Sequence, residues 1–243
     1  MGAGLTTLDC AAQTTREINT WLKEHAKASA CEVNAGREPL HVALLHPDSR
    51  HNLAVGLLSP LRITLAGPVG YYCGGLCDGI DLEIHGGCGW GLAENLMGGR
   101  VVLHGSAGSS AGATLRGGHV IIHGDAGARC GAAMKGGVLI VEGDVGIMTG
   151  FMMQKGRIII GGNAGEALGD SLYEGVIYVR GEVESLGADA KFSPLNPADC
   201  DFLATALADA LLDFAPAGFK KIESARRLYN FDTREKEFWK DAL

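Results

Sequence analysis

Glycine stands at positions 67, 86, 105, 124, 143, 162 and 181, seven times at a spacing of nineteen residues. A second register lies three residues on, at Gly70, Gly89, Gly108, Gly127, Gly146 and Gly165. A third lies seven on, at Gly74, Gly112, Gly131, Gly150 and Gly169, with Ala93 in the unit that departs. Units close twelve or thirteen positions after their first glycine, as at Gly98-Gly99, Gly117-Gly118, Gly136-Gly137, Gly156 and Gly175. Four registers kept in step define an internal repeat, and a repeat of this length means a stack of like units, each packing on its neighbours. Glycine fills 37 of 243 positions, roughly twice the usual 7%. It does not recur every third residue, which excludes collagen. A chain that is 47% hydrophobic and 20% charged is not low-complexity disorder.

Between closing and opening glycines lie short β-branched runs: Arg62-Ile63-Thr64-Leu65, Val101-Val102-Leu103, Val120-Ile121-Ile122, Leu139-Ile140-Val141, Ile158-Ile159-Ile160 and Ile177-Tyr178-Val179. They read as strands, because no window escapes glycine long enough to propagate a helix. One strand and three glycine corners per nineteen residues predict a mainly β fold, one coil at a time of a single-stranded right-handed parallel β-helix. About seven coils at ~4.8 Å make a rod ~33 Å long. The left-handed hexapeptide type needs a six-residue subperiod, which steps of three, four, about six and about six residues do not supply.

The register identifies the core. Two positions before the opening glycine stand Leu65, Ile84, Leu103, Ile122, Val141, Ile160 and Val179, and four before it Ile63, Leu82, Val101, Val120, Leu139, Ile158 and Ile177. Two after it stand Val69, Cys88, Ala107, Ala126, Val145, Ala164 and Val183, and ten after it Cys77, Leu96, Leu115, Met134, Met153 and Leu172. These four apolar columns are the expected inward ladders. The chain divides into 1–59, an N-terminal helix with capping strands; 60–190, the β-helix; and 191–243, a C-terminal helix and extended tail. A helix is expected over 14–29, opened by a Thr14-x-x-Glu17 capping box, with strands at 42–45 and 53–57. Asn196-Pro197 opens the second helix, expected to run to about Phe214. The tail from 222 to 243 carries Arg226, Arg227, Tyr229, Phe231, Phe238 and Trp239.

A net charge of −7 argues against a nucleic-acid-binding surface. No run approaches the ~18 apolar residues of a membrane span. The N-terminus lacks a charged n-region followed by an apolar h-region, and the match of Met1-Gly2-Ala3-Gly4-Leu5-Thr6 to a myristoylation pattern is too short to carry weight. Seven cysteines at 10, 31, 73, 77, 88, 130 and 200 have no framework spacing. Reduced thiols and a cytoplasmic location are expected.

Little in the repeats points to catalysis. His85, His104 and His123 each precede an opening glycine and therefore stack on the outer face. Such a ladder could hold zinc, making the chain a metal-dependent β-helix enzyme. A polar outer ladder is the simpler reading, since no carboxylate or amide is evidently poised to orient the rings. Cys73, Cys77 and Cys88 fall in different columns, as buried thiols do. The Walker-type phosphate loop is absent, and Glu83 and Glu142 lie three coils apart, too far for a carboxylate pair. The anomaly is an outward column, Val102, Ile121, Ile140, Ile159 and Tyr178, too apolar for a solvated face. Either the chain's own terminal helices cover it or another protein does.

The glycine corners resemble the β-helix domain of glutamate synthase large subunits and the C subunit of formylmethanofuran dehydrogenase. Several segments are similar to the small β-helix subunit family of N-methylglutamate synthase, the methylamine–glutamate N-methyltransferase. They are Val69-Gly70-Tyr71-Tyr72-Cys73, Ala93-Glu94-Asn95, Ala128-Arg129-Cys130-Gly131, Met134-Lys135-Gly136, Gly169-Asp170-Ser171-Leu172-Tyr173-Glu174, Tyr178-Val179-Arg180-Gly181, Ser185-Leu186-Gly187-Ala188-Asp189 and Ala225-Arg226-Arg227-Leu228-Tyr229-Asn230-Phe231. The likeness covers about residues 55 to 231. It implies a scaffold subunit with no catalytic, cofactor or metal residue of its own, in a hetero-oligomer making N-methylglutamate and ammonia from glutamate and methylamine. One implied partner is a class II amidotransferase-like subunit, and the other a glutamate-synthase-like subunit carrying FMN and an iron–sulfur cluster. The outward column and Tyr71, Tyr72, Glu94, Asn95, Arg129, Asp170, Tyr173, Glu174 and Arg227 would meet those partners. A glutamate synthase or a formylmethanofuran dehydrogenase/formyltransferase-type complex would use the same scaffold.

Overall fold

The β-branched runs form strands and stack in parallel at the nineteen-residue register. A computed structural model describes residues 5–228. The Met1-Gly2-Ala3-Gly4 start and the tail beginning at Tyr229, with Phe231, Phe238 and Trp239, lie outside the described residues. In chain order the elements are β1 (Thr6–Asp9), α1 (Thr15–Asn34), β2 (His41–Leu45), β3 (Arg62–Ala66), β4 (Ile80–Ile84), β5 (Gly99–Leu103), β6 (His119–Ile122), β7 (Lys135–Val141), β8 (Lys155–Ile160), β9 (Val176–Val179), β10 (Ala190–Ser193), α2 (Pro197–Asp209) and β11 (Lys220–Ser224). One eleven-stranded sheet runs β1 through β9 in sequence order, then β11 and β10. Ile63, Leu82, Val101, Val120, Leu139, Ile158 and Ile177 pair in succession. Val69, Cys88, Ala107, Ala126, Val145, Ala164 and, with partial exposure, Val183 form a second parallel ladder. The fold is thus the expected mainly β solenoid of about seven turns, and the other three apolar columns fill its interior.

The corners obey a rule beyond glycine. Five, seven and nine residues after each of the first six opening glycines the backbone is left-handed, and most of these residues are not glycine. In the second unit Ala93 takes φ 53° at the seven-on position and Asn95 φ 57° at the nine-on position. Left-handed backbone costs an ordinary residue ~1–2 kcal/mol, and here coil-to-coil hydrogen bonds hold it. Asn95 N–H donates forward to Ala113 O at 3.0 Å, whereas Ala93 N–H donates back to Cys73 O at 2.8 Å. The opening glycines answer to space instead. A Cβ on Gly105 would lie 2.6 Å from the carbonyl oxygen and 2.8 Å from the carbonyl carbon of Gly86, one coil below.

Three expectations for the flanks are corrected. The helix expected over 14–29 is α1, which starts at Thr15 because Thr14 is its N-cap and ends five residues later than expected, at Asn34, because no breaker intervenes before Gly36. Residues 53–57 are not a strand but a corner of the preceding coil, with Asn52, Ala54 and Gly56 all left-handed. The second helix stops at Asp209 rather than near Phe214. Leu211 turns left-handed (φ 59°) and Leu212 N–H returns to Leu207 O at 2.9 Å, a Schellman-type ending without glycine.

Both ends of the rod are closed. At the first coil, Ala54 N–H donates to the Asn19 side chain at 2.9 Å, and Asn19 Nδ2 donates to Asn52 O at 2.6 Å. Asn19 thus stands in for the coil that is missing below, while Ile18, Leu22 and Ala26 of α1 plug the core. At the far end β11 enters antiparallel between β9 and β10, so the tail up to Ser224 is sheet rather than extended cover.

Substituting Gly105 by Ala is expected to lower the unfolding free energy by ~1–3 kcal/mol, the usual cost of overpacking. Gly218→Ala, where a Cβ meets nothing within 4 Å, should change it by less than ~0.5 kcal/mol. Urea unfolding of the two variants checks both.

Candidate functional site

The outward apolar column is covered by the chain itself. Val102, Ile121, Ile140, Ile159 and Tyr178 are 0–4% exposed and pack against Leu203, Ala206, Leu207 and Ala210 of α2 and its C-terminal end, and against Phe219. These five residues, expected at a partner interface, are therefore not surface residues, because the amphipathic face of α2 satisfies them. Polar contacts pin the helix. Tyr178 Oη donates to Asp199 Oδ1 at 2.7 Å and Lys221 Nζ lies 3.0 Å from Asp199 Oδ2, which also accepts from Asn196 N–H at 2.9 Å. Burial pushes the Asp199 carboxyl up, but these donors outweigh it and hold the group below the usual carboxylate range. The Arg157 guanidinium sits 4.1 Å over the Phe202 ring.

The corner face is different, because apolar side chains stay in solvent there. His51, Tyr71 and Trp90 stack with centroids 4.3 and 5.5 Å apart, and Tyr71 and Trp90 are 42% and 57% exposed. Each aromatic ring lies over the glycine three residues after the opening glycine of the next coil. A Cβ on Gly108 would meet Trp90 Cδ1 at 2.6 Å, and one on Gly89 would meet the Tyr71 ring. Tyr72, Glu94 and Asn95, with Asn52, Val55, Gly75 and Leu76, line an adjoining cavity of about 210 Å³. Four of the expected contact residues thus come together on one end of this face. Arg129 occupies the same corner position as Tyr72, three coils on, exposed and left-handed. Trp90 and His51 were not singled out from sequence. The signal for Trp90 was its place four residues after Gly86, the same place Tyr71 holds after Gly67.

The remaining expected contacts lie elsewhere. Asp170 has a local role, accepting from Ser171 Oγ at 2.7 Å and Ala188 N–H at 3.0 Å. Tyr173 and Glu174 line a groove of about 490 Å³ with Lys191, Glu223 and Arg226, and Arg227 lines a neighbouring one of about 280 Å³. Apart from Arg129, midway along the rod, the expected residues that stay at the surface therefore fall into two patches, one at each end of the rod.

The histidine ladder is oriented by carboxylates after all. The His85 and His104 rings stack at 4.8 Å and 7°, and those of His104 and His123 at 5.3 Å and 6°. Glu83 Oε1 lies 2.8 Å from His104 Nε2 and 3.7 Å from His85 Nε2, and Glu142 Oε2 lies 2.8 Å from His123 Nδ1. The bond to His104 holds Glu83 below its ordinary pKa. The cysteines offer no comparable site. Burial pushes the thiol of Cys77 up to about 11 and those of Cys88 and Cys130 to about 12, and holds that of Cys73 well above its ordinary value. They stand protonated at neutral pH, the form that neither attacks nor ligates. No helix among the described residues is long and apolar enough to cross a membrane.

No protein-family model matches the chain. Protein GlxC of Rhizobium meliloti (strain 1021) is 50% identical to it over 226 residues, which span 93% of this chain and 96% of that protein.

Placing a charge under α2 should undock it. Ile140→Asp leaves a buried uncompensated carboxylate and is expected to cost roughly 3–5 kcal/mol, read as lost hydrogen-exchange protection across α2. Tyr178→Phe removes one hydrogen bond to a charged group and should cost roughly 1.5–3 kcal/mol. Because the Asp199 pKa is lowered on folding, its contribution is present above the ordinary carboxylate value of about 3.9 and lost as pH falls through the lower, folded value. Exchange protection of α2 should fade over that acid range.

Proposed function

Since this chain belongs to the family of protein GlxC, we propose that it is a non-catalytic scaffold subunit of a glutamate-synthase-related complex. The finer reading is an N-methylglutamate synthase, converting glutamate and methylamine to N-methylglutamate and ammonia. In it the rod would hold together a class II amidotransferase-like subunit and a subunit carrying FMN and an iron–sulfur cluster. The observation that carries the reading is the exposed aromatic stack on the corner face. Tyr71 and Trp90 are ordered by glycines one coil ahead, and Tyr72 and Leu76 stay exposed beside them. Rigid, half-exposed aromatic rings are the usual anchors of a protein interface. Kinship to GlxC over nearly the whole chain is consistent with the β-helix resemblance that motivates the choice of complex.

Affinity purification of the chain from its native host, with mass spectrometry and a visible absorbance scan, tests this. Co-elution of an amidotransferase-like and a flavin-bearing subunit is the expected result, and a lone colourless chain would overturn it. A partner set that resembles formylmethanofuran dehydrogenase subunits would point to that type of complex instead. The Tyr71→Ala/Trp90→Ala double variant should lose the partners while its unfolding free energy in urea changes by no more than ordinary surface substitutions do, about 0.5 kcal/mol.

A further inference from the structure

Glu83, His85 and His104 stand apart from the corner face and from the α2 cover, and neither absorbs them. We propose that these three side chains bind one divalent ion of the zinc class. The register builds the site. His85 and His104 hold the same position in successive coils, immediately before the opening glycine, and their backbones are tied into the ladder by His85 N–H to Leu65 O and His104 N–H to Ile84 O, both at 2.9 Å. Glu83 precedes His85 by two residues in β4, which by strand alternation puts it on the same side. The result is convergence of ligand atoms rather than mere proximity. The Nε2 edges of both rings face one carboxylate oxygen, at 2.8 and 3.7 Å, and the ligand atoms of all three residues lie within 4.8 Å of one another.

An ion between them would take ligands at about 2.0–2.2 Å, so the three groups must draw in modestly. All three side chains are 38–49% exposed and free to do so. Two imidazole nitrogens select zinc-class ions over magnesium or calcium, and three protein ligands leave a tetrahedral position open to water or to a donor from another molecule. His123 is outside the set, because its Nδ1 is engaged by Glu142 of the next coil at 2.8 Å. The site does not depend on the scaffold reading, and its test uses the chain alone.

The untagged full-length chain is titrated with zinc chloride in a calorimeter. One zinc per chain is expected. His85→Ala, His104→Ala and Glu83→Gln should each weaken binding by more than the roughly 10–100-fold that loss of an outer-shell partner costs, with thermal unfolding of the metal-free variants unchanged. His123→Ala should bind as the parent does. Absence of saturable binding, retention of full affinity in the Glu83→Gln and His104→Ala variants, or a loss in His123→Ala equal to that in His104→Ala would overturn the assignment.

Discussion

Every feature of this molecule depends on backbone hydrogen bonds between one coil and the next. Just past each strand an N–H donates to the coil below, as that of Glu142, the residue after β7, does to Ile122 O at 2.9 Å. In the corners the direction alternates, forward from the left-handed residues five and nine after the opening glycine and backward from the one between. Leu76, Thr114 and Met152 all occupy left-handed backbone that side chains ordinarily avoid. They persist there because both neighbouring coils fix the same conformation at the same register. The opening glycines make this possible by letting the coil backbones approach without a Cβ between them.

The same constraint creates a problem at each end, where a coil has no neighbour to receive its N–H and C=O groups. Two different solutions appear. At the N-terminal end a helix supplies one side chain, Asn19, that both accepts from and donates to the open corner. At the C-terminal end the chain reverses and adds β11 antiparallel to β9, with Asp189 accepting from Ser224 Oγ at 3.0 Å and Arg227 N–H at 2.9 Å to fix the return. Between these ends α2 covers the outward apolar column. What looks in sequence like an interface is therefore a second, smaller core.

Strict periodicity made the core legible in the sequence, because residues nineteen apart must share an environment in a stack. Val69, Cys88 and Ala107 are unalike as residues, yet they pair as the register requires. What escaped was information the period does not hold. The cover of Ile140 and Ile159 depends on where α2 docks, and the spacing of Leu203, Ala206, Leu207 and Ala210 shows an apolar helix face without saying what it meets. Residues 53–57 read Leu-Ala-Val-Gly-Leu, an apolar run like a short strand, and only the left-handed backbone at Ala54 and Gly56 reveals a corner. The orientation of His104 by Glu83 was missed because the carboxylate sits one coil back and two residues before the equivalent position. Trp90 was missed because two aromatics, Tyr71 and Trp90, at one end of a column that continues as Ser109, Ala128, Ile147 and Glu166 make no periodic signal.

That last contrast separates the structural residues of a solenoid from the residues available for recognition. A column that repeats, such as Leu65 to Val179, is held by the requirement to fill an interior. A residue that breaks its column on an exposed corner fills no interior, and its cost in a water-facing apolar ring needs another reason. Tyr71, Trp90 and Leu76 break theirs together, in neighbouring coils at one end of one face, while the opposite side of the rod is sealed by α2. In a rod whose lateral positions are fixed by the stack, such departures stay aligned at the coil spacing and present a rigid surface that needs little ordering to bind. It is this preorganisation, more than any exposed apolar area, that favours a docking role for the corner face.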